Sequence, residues 1–170
     1  LPEEWFSAPS GSGTPPRFVS STDFFDTGPN SLFCAGYSSA NRTMLHSPQF
    51  FVPRVPTQLI FMQKFSFESL HPNYYDGAQL FFVPGSYGGY GEEYEWTAQF
   101  GGFSQGGYNG TVYGGSGSYI GGQQAWVGSQ NSFLPVSANL PSNTSAELAQ
   151  IGWALFSDNG VPSLGWWIDS

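Results

Sequence analysis

The stretch QLIFMQKFSFE, residues Gln58 to Glu68, decides the fold. Leu59, Phe61, Phe65 and Phe67 fall on one side of an extended chain, and Lys64, Ser66 and Glu68 on the other. That period of two is the mark of a half-buried β-strand, since successive side chains of a strand point to opposite faces. Ala149, Ile151, Trp153 and Leu155 alternate in the same way, as do Leu164, Trp166 and Ile168. Residues 79–83 form a short apolar run after the turn pair Asp76-Gly77. Weaker strand signals fall at residues 17–21, 31–37, 44–52, 94–100, 123–128 and 132–138. Helix signals are nearly absent, the one window of good helix formers being residues 146–150. About ten short strands separated by Gly, Pro, Asn and Ser turns predict an all-β, antiparallel two-sheet sandwich with long Gly-rich loops. Those loops are expected at residues 85–91 and 101–122. Phe61, Phe65, Phe67, Trp153 and Trp166 are the predicted core.

With 170 residues the chain is sized for one domain, 1–170, and is read as a module or fragment of a larger protein. Charged residues make up 9% against a usual ~25%, and aromatic residues 18%. That combination is the reverse of a disordered composition. The net charge is −8, and four scattered bases, Arg17, Arg42, Arg54 and Lys64, build no cationic face. Nucleic acid is therefore excluded as a partner, because binding it needs a surface that displaces phosphate counterions. Membrane insertion is excluded too, since no apolar run approaches the ~18 residues a span needs. Cys34 is the lone cysteine, which rules out an internal disulfide and a cysteine zinc site.

Catalytic signatures are missing. The two histidines, His46 and His71, lack metal-ligand spacing, and no Gly-x-Ser-x-Gly elbow precedes a helix. Glu93 and Glu95 share one strand face and are the one carboxylate pair a glycosidase could use. The simpler reading of them is a solvated strand start. The glycine runs lack the Lys and the helix of a phosphate-binding loop.

Three kinds of binding residue remain. Glu68, Asp76, Asp158 and Asp169 lie at strand ends or turns, where carboxylates can hold a hard cation such as one structural calcium ion, or can simply cap the turns. Tyr87, Tyr90, Tyr108, Tyr113 and Tyr119 sit in the Gly-rich loops, where rings can stack on sugars, meet a protein partner or fold down over the sandwich. Asn41, Asn109 and Asn143 begin N-glycosylation sequons, which are used only in a chain that is exported through a glycosylating compartment.

The motifs together resemble the MAM-like jelly-roll modules of secreted and cell-surface, mostly bacterial proteins, such as those attached to immune-inhibitor-A-type metallopeptidases. The likeness is carried by Leu1-Pro-Glu-Glu-Trp5, by Glu68 with the segment from Tyr75 to Leu80, by the segments from Gly107 to Val112 and Gln124 to Gly128, and by the segment from Phe156 to Val161 followed by Gly165-Trp-Trp-Ile-Asp169. The resemblance implies a jelly roll, a secreted or cell-surface location and a non-catalytic role in adhesion or assembly, with protein neighbours or surface glycans as partners. It also implies a calcium site near Asp169, Asp76 and Glu68, although Ser170 stands where the family has a second Asp. A carbohydrate-binding module and an accessory domain of a secreted hydrolase are the alternatives. The first of these predicts Tyr or Trp rings in an open groove with Asp, Asn or Gln beside them.

Overall fold

A computed structural model describes residues 1–11, 13–85, 92–97, 100–141 and 147–170. Sixteen strands and no α-helix occur among them, and every strand pairing is antiparallel. No helix among the described residues is long and apolar enough to cross a membrane.

One sheet contains β1 (Phe6–Gly11), β4 (Asn41–His46), β15 (Leu148–Ser157), β9 (Gly77–Pro84) and β10 (Tyr94–Glu95) in that order, with β5 (Phe50–Phe51) also paired to β15. The other contains β11 (Phe103–Gln105), β14 (Ser129–Asn139), β6 (Gln58–Ser66), β16 (Gly165–Asp169), β3 (Ser31–Cys34) and β2 (Val19–Ser21). Two small hairpins complete the fold, β7 (Ser69–Leu70) with β8 (Asn73–Tyr74), and β12 (Gly110–Thr111) with β13 (Gln124–Ala125). The predicted sandwich is thus the observed one. The window at 146–150 is no helix, for its described part opens β15.

The alternation decides which side chains meet. Phe61 and Phe65 of β6, Trp166 and Ile168 of β16, and Val136 and Ala138 of β14 face Leu80 and Phe82 of β9, Ile151, Trp153 and Leu155 of β15, and Leu45 of β4 in one core. Gln63 shares this inner face and is buried, which a polar side chain tolerates only with a partner. Its Oε1 accepts the Trp166 indole N–H at 3.0 Å.

The glycine-rich region carries a second core. Met44, Phe81, Val83, Ala154 and Phe156 point away from the first core on the outer face of their sheet, and Val112, Ile120, Ala125 and Val127 pack down onto them. The β12–β13 hairpin is therefore a lid over that sheet rather than a loose loop.

Strand direction defines two ends of the sandwich. Gly165 opposite Ser66, with Asp158 just beyond β15, marks one end, and Asp169 opposite Met62, with Leu59 and Leu32 nearby, marks the other.

The Gln63–Trp166 bond predicts an asymmetric result. Trp166→Phe leaves the Gln63 oxygen buried and unpaired, at a cost of roughly 1–3 kcal/mol beyond the lost volume. Denaturant unfolding should show the double variant Trp166→Phe/Gln63→Leu to be more stable than the single one. Equal or lower stability of the double variant would refute this account of the pair.

Candidate functional site

The first site is acidic and lies at the Gly165 end. Glu68 follows β6, Asp76 precedes β9 and Asp158 follows β15, so three strand ends meet there. One carboxylate oxygen from each lies within 4.8 Å of the other two. Asp76 is fully buried. Each carboxylate accepts one backbone N–H: Asp158 N–H donates to Asp76 Oδ1 (3.0 Å), Gly160 N–H to Asp158 Oδ1 (2.6 Å) and Val161 N–H to Glu68 Oε2 (2.8 Å). Asp76 Oδ2 also accepts the Ser163 hydroxyl (3.5 Å), so turn capping and this bond satisfy part of each carboxylate while the three stay crowded together. Gly160 is required for the approach, since a Cβ there would stand 2.4 Å from Glu68 Oε2 and 2.6 Å from Asp158 Oδ1.

The electrostatics follow from crowding. Burial pushes the Asp76 carboxyl up to about 7, with the Asp158 N–H pulling the other way and the charges of Asp158 and Glu68 adding to the rise. Glu68 is also raised, by burial first, against the Val161 N–H and with Asp158 adding. Hard oxygen ligands of this kind suit a cation such as calcium.

Asp169 does not join this group. It lies at the opposite end of β16, where Oδ2 accepts Asp26 N–H (2.6 Å) and Thr27 N–H (3.0 Å) and Oδ1 accepts Ser170 N–H (2.8 Å). Being at a strand end does not say which end of the sandwich a residue occupies.

The second site is a cavity of about 440 Å³ at that opposite end. Trp5, Trp153 and Phe61 give it an aromatic wall, with Leu32, Leu59 and Ile168 beside them. Ser20, Asn30, Ser31 and Asp169 supply polar groups. Trp5 and Trp153 stack with centroids 5.5 Å apart and planes at 29°, and Phe61 meets Trp153 edge-on at 5.7 Å. Trp153 is 3% exposed, and its indole N–H has no hydrogen-bond partner among the described residues.

The other predicted residues are dispersed. Tyr108 is no exposed loop ring: it packs against Phe103 and Trp126, and its hydroxyl donates to Leu80 C=O (3.3 Å) and accepts Leu80 N–H (3.0 Å). Tyr113 and Tyr119 do stand in solvent. Tyr87, Tyr90 and Asn143 lie outside the described residues. Asn41 is 1% exposed with Nδ2 donating to Ser39 C=O, so a glycan there is incompatible with this fold. Asn109 is exposed, yet its amide pairs with both backbone groups of Val127. Glu93 pairs with Arg42, whose guanidinium lies over the rings of Phe81 and Phe156. Burial raises the Glu95 carboxyl. Neither glutamate lines the cavity.

The cavity escaped sequence reasoning because Trp5 and Trp153 meet only through the fold. The "LPxxW" match had marked Trp5, but nothing in the sequence paired it with β15.

No protein-family model matches the chain, and no curated protein matches it. Solved structures do. One, described as the structural basis for the promiscuous specificity of carbohydrate-binding modules from the β-sandwich superfamily, superposes with a TM-score of 0.59 at 9% identity. It covers 99% of this chain and 56% of that one, so this chain spans little more than half the length of that structure. A glycoside hydrolase domain of Endo-D from Streptococcus pneumoniae R6 gives 0.49 at 12% identity over 98% of this chain and 21% of the other. A xylan-binding domain from CBM 22 gives 0.47 at 12% identity over 99% and 85%. At such identities the first likeness is one of fold, a β-sandwich that carbohydrate-binding modules also use.

The raised Asp76 carboxyl sets a pH dependence for the metal-free protein. The folded state keeps a proton that the unfolded chain has already lost, so the stability this group contributes is full below about pH 4 and is lost as pH rises to about 7. Thermal melts in chelator should show this decline, and Asp76→Asn should remove most of it while melting higher than the parent at pH 7. A flat profile for the parent would contradict the crowding.

Proposed function

We propose that this domain is a non-catalytic, extracellular module that binds carbohydrate in the end cavity. One observation carries the reading: stacked Trp5 and Trp153 share a pocket with Asn30, Ser20 and Asp169. A sugar presents C–H faces and hydroxyl edges together, and a wall of indole rings with amide and hydroxyl groups beside it offers both a complement. The volume lies in the range of small-ligand pockets. The architecture shared with a structure of carbohydrate-binding modules supports the reading at the level of fold.

A glycan array with the intact domain is the direct test. Trp5 is only half-buried, so Trp5→Ala should keep the fold and weaken binding of any array hit by ~10-fold or more, or about 1.4 kcal/mol. An array with no hit removes the reading.

The adhesive or assembly role implied by the MAM-like motifs is the second reading. Leu70, Val161 and Leu164 are exposed apolar residues in segments next to the acidic group, an arrangement suited to a protein neighbour in a larger chain or a surface assembly. Sedimentation at rising concentration should then reveal self-association, and a strictly monomeric domain weakens it.

We also assign a structural calcium ion to Glu68, Asp76 and Asp158. Adding calcium to chelator-treated protein should raise the melting temperature of the parent and leave Asp76→Asn unchanged. Identical melts of the parent with and without the ion would overturn the assignment.

A further inference from the structure

We infer that the end cavity selects uncharged saccharides and rejects acidic ones. The inference rests on the carbohydrate reading and narrows its substrate class.

Charge supplies the first argument. Among the residues lining the cavity, Asp169 is the only one with an ionisable side chain, and no Lys, Arg or His accompanies it. Its oxygens already accept three backbone N–H groups, from Asp26, Thr27 and Ser170, which tie the 22–30 segment to the end of β16. Lys64 does not answer the charge toward the cavity. It is absent from the lining, and its Nζ sits 3.3 Å from the centroid of the Phe24 ring. A uronate or sulfate would therefore enter a largely apolar pocket with a like charge and no counter-cation among its lining residues. Repulsion is strongest where water is excluded. The chain's net charge of −8 adds to it at long range.

Hydrogen bonding supplies the second. Apart from Asp169, the side chains that can bond a ligand in the wall are neutral, those of Ser20, Asn30 and Ser31. Hydroxyl and amide groups both donate and accept, so they match the hydroxyls of a sugar and offer a carboxylate no charge to pair with.

The test is an array of neutral oligosaccharides, each printed beside the same oligosaccharide with its C6 hydroxymethyl groups oxidised to carboxylate. Binding of neutral probes, with at least ~10-fold weaker binding of their acidic counterparts, is expected. Equal binding of acidic and neutral partners overturns the selectivity and leaves the carbohydrate reading standing. Silence across all probes removes both readings together.

Discussion

Trp166 is the joint on which the sandwich closes. Its ring meets Phe18 at 6.1 Å and Phe67 at 6.4 Å edge-on, and Trp126 at 5.8 Å, while its N–H is taken by Gln63 of the neighbouring strand. A buried indole contributes a large apolar area but brings one donor that must be satisfied. Placing the acceptor on β6 joins two requirements, since the bond forms only if β6 and β16 pair in the observed register. A shift of one residue would turn Gln63 and Trp166 to opposite faces. The polar pair thus specifies register, and the aromatic contacts supply the burial.

From that register the two ends of the molecule follow. β15 runs toward Asp158 and its antiparallel partner β9 starts just after Asp76, while β6 of the facing sheet runs toward Glu68, so the three carboxylates meet at one end. The same pairing carries Leu59, Ile168, Asp169 and the start of β3 to the far end, where Trp5 covers the gap beside Trp153. The acidic group and the aromatic cavity are separated by the length of β16, roughly 13 Å at ~3.3 Å per residue. A cation at one end would act on the other only through the rigidity of the sheets.

What the sequence made legible was the part governed by period two. β6, β9, β15 and β16 stand out because their inward positions are large and apolar, and the five aromatic residues expected inside are all inside. The short strands β7, β8, β11 and β12 left no such trace, since two or three residues cannot show a period. The region from Gly101 to Gly122 misled in a physical way. Glycine lowers the expectation of order, yet here it permits close packing: a Cβ on Gly110 would stand 2.5 Å from Val127 Cγ2. Tyr108 was misplaced for the same reason, its hydroxyl being paired to Leu80 backbone groups that no sequence pattern connects to it. Of the four acidic residues singled out, proximity to a strand end was readable and the identity of that end was not, which is why Asp169 was grouped with residues on the far side of the fold.

The placement of charge in so weakly charged a chain makes the sites informative. Only 16 of 170 residues are Lys, Arg, Asp or Glu, counting four bases and 12 acids. Glu68, Asp76 and Asp158 converge at one end of the sandwich, Glu68 and Asp158 close against Gly160. Crowded carboxylates oppose folding unless a proton or a cation neutralises them, and the raised Asp76 carboxyl reports that crowding. At the cavity the logic is inverted. Asp169 is satisfied by three N–H groups within the protein, and the other polar side chains of the lining are neutral. The fold thus crowds three of its few carboxylates at one end and sets a single, already paired one among aromatic and neutral groups at the other.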